Sequence, residues 1–329
     1  MMLRPSRSTL AVVLTSGTLL TCAVAQADSL VLYTSQPNSD AQQTVDAFQA
    51  AHPGIEVEWV RDGTPRLMTR LRSELQAGVA KPDVLLIADS VTMESLKREG
   101  HLQPYLSDAR DGYAPELYDA EGYYYGTKLI TTGIVYHTRA EHAPGSWREL
   151  ASPDYAGQVT MPSPLYSGAA LIHLAAVTDS PTLGWDYYEA LADNRTEAQG
   201  GNGGVFNDVA SGAKPYGIVV DYLPIREAVK GSPVAFVFPE EGVSAVTEPV
   251  AILEQAANPE AARKFVDFLL SEAGQQLVSR QGYLPALDGV EPPEGFPARD
   301  EITLMPLDAA RALENAEAQQ RRFSELFGG

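Results

Sequence analysis

Cysteine is almost absent from this 329-residue chain, which has one, Cys22. That excludes a disulfide-stapled scaffold and any thiolate metal centre. Positive charge is also scarce: 24 Lys and Arg stand against 43 Asp and Glu, a formal net charge of −19. No basic stripe appears along the chain, which argues against a nucleic-acid binder, because phosphate binding needs a basic face to displace counterions. The same acidity disfavours an anionic membrane surface as a partner. Beyond the N-terminus there is no apolar run long enough for a membrane span, no tandem repeat and no low-complexity segment. What remains, 44% hydrophobic and 20% charged, is the composition of a globular protein long enough for two compact domains.

The first 27 residues read as an export signal. Arg4 and Arg7 form a basic start, residues 10–20 an apolar run, and Ala25-Gln26-Ala27 a small-residue cleavage site before Asp28. Thr21 precedes Cys22, where a lipoprotein site needs a small residue, so Cys22 is expected to leave with the signal. The expectation is a Sec-exported periplasmic protein with no cysteine.

From Asp28 onward, short apolar runs alternate with amphipathic helices, the pattern of open α/β sheets. Strands are predicted at 30–34, 55–60 and 84–88, the last nearly all aliphatic and so covered on both faces. Ala41, Val45 and Phe48 mark one helix, and Leu67, Leu71 and Leu75, at i, i+4 and i+8, mark another. Residues 129–137 are long enough to cross between lobes, and 250–253 provide a returning strand. Ser146 and Glu149 have capping-box spacing, and Asn258-Pro259 opens a helix. Two lobes joined by crossover strands place the ligand site in the cleft, at strand C-termini and helix N-termini.

Candidate site residues follow from that placement. Ser167, Gly168 and Ala169 stand between an apolar strand and an apolar helix, where free N–H groups and the positive dipole end suit an anion, or where Ser167 simply caps the helix. Asn202, in the glycine cluster 200–204 before a helix predicted to start near Gly204, has an amide to offer an anion; the loop has no nucleotide-binding fingerprint. Asp221-Tyr222 ends an aliphatic strand: Asp221 either pairs with a cation or caps the next helix, and Tyr222 can donate to an anion. In the first lobe, Ser35, Thr64 and Ser90 each follow a predicted strand end. No Gly-x-Ser-x-Gly elbow, His-Glu-x-x-His or metal-ligand histidine spacing is present, so an enzyme is not expected.

Leu32-Tyr33-Thr34-Ser35, Lys81-Pro82-Asp83-Val84, the turn 162–168, Gly201-Asn202-Gly203, Val209-Ala210-Ser211-Gly212 and Asn258-Pro259-Glu260-Ala261-Ala262 through Phe268 occur in that order. Together they give the chain a resemblance to the periplasmic substrate-binding proteins of ABC transporters in the ferric-iron and 2-aminoethylphosphonate group. The resemblance implies an α/β, two-lobed type II periplasmic binding protein with a crossover-strand hinge and an interlobe cleft. Lobe 1 is then 28–131 plus 248–285, lobe 2 is 132–247, and 286–329 is a helical segment packing on both. It also implies a monomer that binds a small anionic solute and delivers it to an inner-membrane ABC permease, with no cofactor.

Iron-binding members of that group use a His after the first strand, an acidic residue after the second and adjacent tyrosines in the second lobe. Here the matching places hold Pro37, Gly63-Thr64 and Asp221-Tyr222, one tyrosine of the pair. The anion half is kept, in Ser167, Gly168, Ala169, Asn202 and Tyr222, and Arg61-Asp62-Gly63-Thr64 is similar to the aminophosphonate-binding turn. The expected cargo is therefore a small phosphonate or phosphate ester, 2-aminoethylphosphonate above all, with Asp221 on its ammonium and Ser35 and Thr64 closing from the other lobe. The alternatives are ferric iron, with Asp221 and Tyr222 as metal ligands, and, more distantly, a phosphoester-processing enzyme.

Overall fold

The computed structural model describes Met1 and residues 28–328; the segment expected to be an export signal, with Arg4, Arg7 and Cys22, lies outside the described residues. The chain forms two sheets with helices on their faces. In the first, strands Ile55–Arg61, Asp28–Thr34, Val84–Leu86, Pro249–Leu253 and Leu102–Gln103 lie side by side in that order. The first three are parallel, and Pro249–Leu253 returns antiparallel against Val84–Leu86, with Val250 opposite Leu86. Alternation along these strands explains why they are nearly continuous in apolar residues. Leu30, Leu32, Val84 and Leu86 face Phe48 and Phe265, whereas Tyr33, Leu85 and Ile87 face Leu67, Leu71 and Met93.

The second sheet has the order Val234–Val237, Lys128–His137, Tyr216–Val220, Val159–Met161, Glu197–Ala198. Tyr216–Val220 is antiparallel to Lys128–His137 and parallel to Val159–Met161. The start of Lys128–His137 also pairs with Ser244–Val246 and Leu284–Pro285, so the passages between the sheets are bound together at one place. The C-terminal helix Ala309–Phe327 packs on helix Ser90–Arg98 beside the first sheet and on Gly168–Asp179 beside the second.

Local chemistry accounts for most boundaries. Asn258 accepts a bond from the Ala261 N–H and Pro259 opens helix Pro259–Leu270, whose Ala262, Phe265, Val266 and Leu269 are buried. Ser146 caps Trp147–Leu150 through the Glu149 N–H at 3.0 Å, but the Glu149 carboxylate reaches back to the Gly145 N–H rather than to that of Ser146. The capping box is thus shifted by one residue on its return side. The helix expected near Gly204 begins at Asn202, because Gly201 takes the extended conformation of the cap.

The consequence for function is positional. Helices Asn38–Ala51, Thr64–Gln76 and Ser90–Arg98 each start directly after a parallel strand of the first sheet. Gly168–Asp179, Asn202–Ser211 and Tyr222–Val229 do the same in the second. Helix N-termini carry unpaired N–H groups and partial positive charge, so strand ends of this kind collect anion-binding capacity in an acidic chain.

Candidate functional site

The second-lobe side of the cleft is built around a clip. Ser167 caps helix Gly168–Asp179, its Oγ accepting from the Ala170 N–H at 3.2 Å and from Asn202 Nδ2 at 3.0 Å. The Asn202 Oδ1 in turn accepts from the Val220 N–H at 3.1 Å. Asn202 therefore ties two helix starts and a strand end together. With Ala170 and Leu171 satisfied by Ser167, the N–H groups of Gly168 and Ala169 have no acceptor among the described residues.

The lobes touch at this point. A Cβ on Gly168 would lie 2.8 Å from the Ala88 carbonyl oxygen and 3.7 Å from the Asp89 Cβ, so only glycine fits there. Asp89 caps its own helix through the Thr92 N–H and hydroxyl, yet burial pushes its carboxyl above the usual range. Ser35 joins the same turn: its N–H donates to the Leu86 carbonyl and its Oγ accepts from the Ala88 N–H at 2.9 Å. Thr64 is buried as the first residue of its helix, behind Gly63. Ser90 lines a separate cavity of about 570 Å³ with Leu117, Tyr118, Tyr124, Thr247 and Arg299, which none of the other eight candidates lines.

Asp221 takes the capping alternative. It is fully buried, and its carboxylate accepts from the Thr131 N–H at 2.9 Å, the Thr131 hydroxyl at 2.7 Å and the Tyr222 N–H at 2.6 Å. All of these partners lie in the second sheet and its following helix, so the carboxylate is held against that sheet. Burial outweighs these donors and raises it to about 7. Tyr222 packs on Tyr283 with ring centroids 4.7 Å apart, and burial pushes its phenol up to about 12.

Around Tyr222 and Tyr283 the structure assembles residues that strand-end reasoning missed. Arg226 stacks on both rings, 4.7 Å from the Tyr222 centroid and 4.2 Å from that of Tyr283, with Nη2 buried and without a hydrogen-bond partner among the described residues. Opposite it, from the first turn of helix Asn38–Ala51, the Asp40 carboxylate accepts from the Tyr283 hydroxyl at 2.5 Å and lies 3.8 Å from Arg226 Nη2. Beside them Lys128 pairs with Glu248 at 2.6 Å, their side chains 1% and 3% exposed, and the ammonium lies 4.1 Å over the Tyr283 ring. Gln36 Nε2 donates to the same Glu248 oxygen at 3.0 Å. Glu248 has left-handed backbone, φ 40°, held by the Thr127 hydroxyl donating to its carbonyl at 2.8 Å. In the sequence, a lysine opening an apolar crossover strand and a glutamate just before the returning one were the signal available for this pair.

Known proteins share this architecture. The family model described as bacterial extracellular solute-binding protein matches residues 80–315. The chain is 27% identical over 281 residues to Iron uptake protein A1 of Synechocystis, covering 79% of this chain and 76% of that protein. Among solved structures, the periplasmic binding protein AfuA of Actinobacillus pleuropneumoniae, with exogenous fructose-6-phosphate bound, has a TM-score of 0.80 at 20% identity, covering 91% of this chain and 98% of that one. Iron-bound HitA of Pseudomonas aeruginosa has a TM-score of 0.79 at 21% identity, covering 90% and 99%. At these identities the structural likeness establishes the two-lobed fold.

Proposed function

The chain belongs to the bacterial extracellular solute-binding proteins, and on that premise we propose that its cleft captures a small phosphonate- or phosphate-bearing solute and delivers it to an inner-membrane ABC permease. Members of this family are periplasmic solute-binding components of ABC transporters, and the relatives are binding proteins rather than enzymes. The observation that carries the reading is the pair of acceptor-free N–H groups at Gly168 and Ala169, held in place by Ser167 and Asn202 where the lobes meet. In this reading Tyr222 donates its phenol hydrogen to the anion, Arg226 supplies the countercharge, and Ser35 and Thr64 face it from the first lobe. 2-Aminoethylphosphonate is the leading ligand within that class. The lobe boundaries at 131/132, 247/248 and 285/286, export to the periplasm and action as a monomer belong to the same proposal.

Ligand is required on both lobes at once, so binding stabilises the closed state. The test is a thermal-shift series on protein freed of ligand by unfolding and refolding, with 2-aminoethylphosphonate, phosphate, sugar phosphates and ferric citrate. A ligand at a hundred times its dissociation constant adds roughly 2.7 kcal/mol. A raised melting point with at least one phosphonate or phosphate ester is expected, and none with any of them overturns the reading.

One observation favours ferric iron as the second reading: Tyr222, Tyr283 and Asp40 bring hard oxygen donors to one place. No group of three or more His, Cys, Asp or Glu is arranged to hold a metal among the described residues. Asp221, the other carboxylate expected as a metal ligand beside Tyr222, is fully buried and accepts hydrogen bonds from the Thr131 N–H and hydroxyl. Iron cargo predicts a tyrosinate-to-iron colour on loading with ferric citrate, and a colourless protein removes this reading.

A further inference from the structure

The cavity beside Ser90, about 570 Å³, has no part in the anion-binding turns: none of its lining residues belongs to the Ser167–Asn202 clip or to the Tyr222–Tyr283 network. Three parts of the chain wall it. Ser90, Leu117, Tyr118 and Tyr124 come from the first lobe, and Ala245 and Thr247 from a crossing between the lobes. The third wall is the stretch from Arg299 to Ala309, which leads into the C-terminal helix. That stretch is fastened to the crossing: the Val243 N–H donates to the Thr303 carbonyl at 2.9 Å, and the Met305 N–H to the Val243 carbonyl at 2.8 Å. The aromatic side is fixed as well, because Tyr118 stacks on Tyr125 with centroids 6.0 Å apart and the Tyr124 hydroxyl donates to the Glu94 carboxylate at 3.3 Å. The space is thus formed before anything enters it, and its volume falls within the range of about 300–1,000 Å³ usual for small-molecule sites.

The lining also has the chemistry of such a site. Leu117, Ile302 and Met305 are buried, and Leu304 and Leu307 half-buried beside them, so most of the wall is aliphatic. Among the described lining residues Arg299 is the one cation and Glu116 the one anion. Arg299 is half-buried, and its Nη1 donates to the Ile302 carbonyl at 3.3 Å, which sets the guanidinium beside the apolar wall. Glu116 is exposed. We propose that this cavity is a second ligand site, distinct from the cleft, for a small amphipathic carboxylic acid with one negative charge. The acid group pairs with Arg299, whose planar guanidinium suits a carboxylate, and the apolar body lies against Leu117, Ile302, Leu304 and Leu307. A phosphate or phosphonate dianion matches poorly, because it brings a second negative charge toward Glu116 and an oxygen-rich body to the leucines. The site therefore takes a different chemical class from the cleft, and its existence does not depend on what the cleft binds.

Calorimetric titration with octanoate and with 4-phenylbutyrate, each beside its uncharged amide, tests the site. Wild-type protein is expected to bind at least one acid saturably and to prefer it to its amide by about tenfold. Arg299→Gln is expected to bring the acid down to the level of the amide while leaving the amide unchanged. Leu304→Trp, which fills part of the cavity, is expected to weaken acid and amide together. Titration of the acid in the presence of excess 2-aminoethylphosphonate or phosphate is expected to give the same affinity. The proposal is overturned if neither acid binds, if acid and amide bind equally to wild-type protein, if Arg299→Gln leaves the acid unchanged, or if the phosphonate or phosphate displaces the acid, which would put it in the cleft. The first three results leave the reading of the cleft standing, since that is decided by the phosphonates and phosphate esters themselves.

Discussion

Replacing Lys128 by Met removes the ammonium from a place where its removal is felt. Its partner Glu248 is 3% exposed and, among the described residues, retains only the Gln36 amide as a donor to its carboxylate. Breaking a buried pair by deleting one member costs about 3–5 kcal/mol, because the surviving charge stays desolvated and uncompensated. The methionine fills much of the lysine volume but loses the cation–π contact with Tyr283, so the upper part of that range is expected. Glu248→Gln is expected to cost less, since the ammonium keeps the Tyr283 ring. The double variant, with no buried charge left, should cost less than the sum of the two by about 2–3 kcal/mol. Urea unfolding followed by tryptophan fluorescence suits the measurement: Trp59 lies in the first sheet and Trp147 in the core of the second lobe, so single-tryptophan variants show whether both lobes respond. A cost below about 1 kcal/mol for Lys128→Met, or strict additivity in the double variant, refutes the reasoning that this pair is desolvated and mutually dependent.

Three further outcomes are expected. Burial raises Asp221 to about 7 from 3.8, so the folded protein holds this proton more tightly than the unfolded chain, and stability falls as pH rises from about 4 to about 7. Asp221→Asn should remove that part of the slope, roughly 3–5 kcal/mol between those limits, and a wild-type-minus-variant difference that is flat across pH in matched-salt urea titrations shows the assignment to be wrong. Gly168→Ala places a methyl against the Ala88 carbonyl; ligand affinity should drop by about tenfold or more, and small-angle scattering should show a more open particle with ligand. Asn202→Ala removes both ends of the Ser167–Val220 clip and should destabilise the protein by about 1–3 kcal/mol in chemical denaturation, while Asn202→Asp, which keeps the acceptor for Val220, should cost less.

How legible the molecule was depends on the range of the forces involved. The strands expected at 30–34 and 84–88, found as Asp28–Thr34 and Val84–Leu86, were readable because alternation on a pleated backbone is a property of neighbouring residues, and both are covered on two faces. Asn258-Pro259 announced its helix through a side chain three residues from the N–H it caps. Ser167 and Asn202 were visible as turn residues at strand ends, although their bond to each other spans 35 positions and was not. Asp221 shows the limit: its place at the strand end was right, but the strand pairing puts Thr131 within reach and turns the carboxylate inward.

The sequence by itself therefore determined the alternation of strands and helices, the family, and the strand ends from which helices start, since each depends on periodicity, caps and the ordered motifs. Only the tertiary structure decided which charges face one another there. Asp40 meets Tyr283 across 243 positions, and Lys128 meets Glu248 across two different crossings between the sheets. Such pairs are fixed by the register of strands and the closure of two lobes, and no local pattern encodes them.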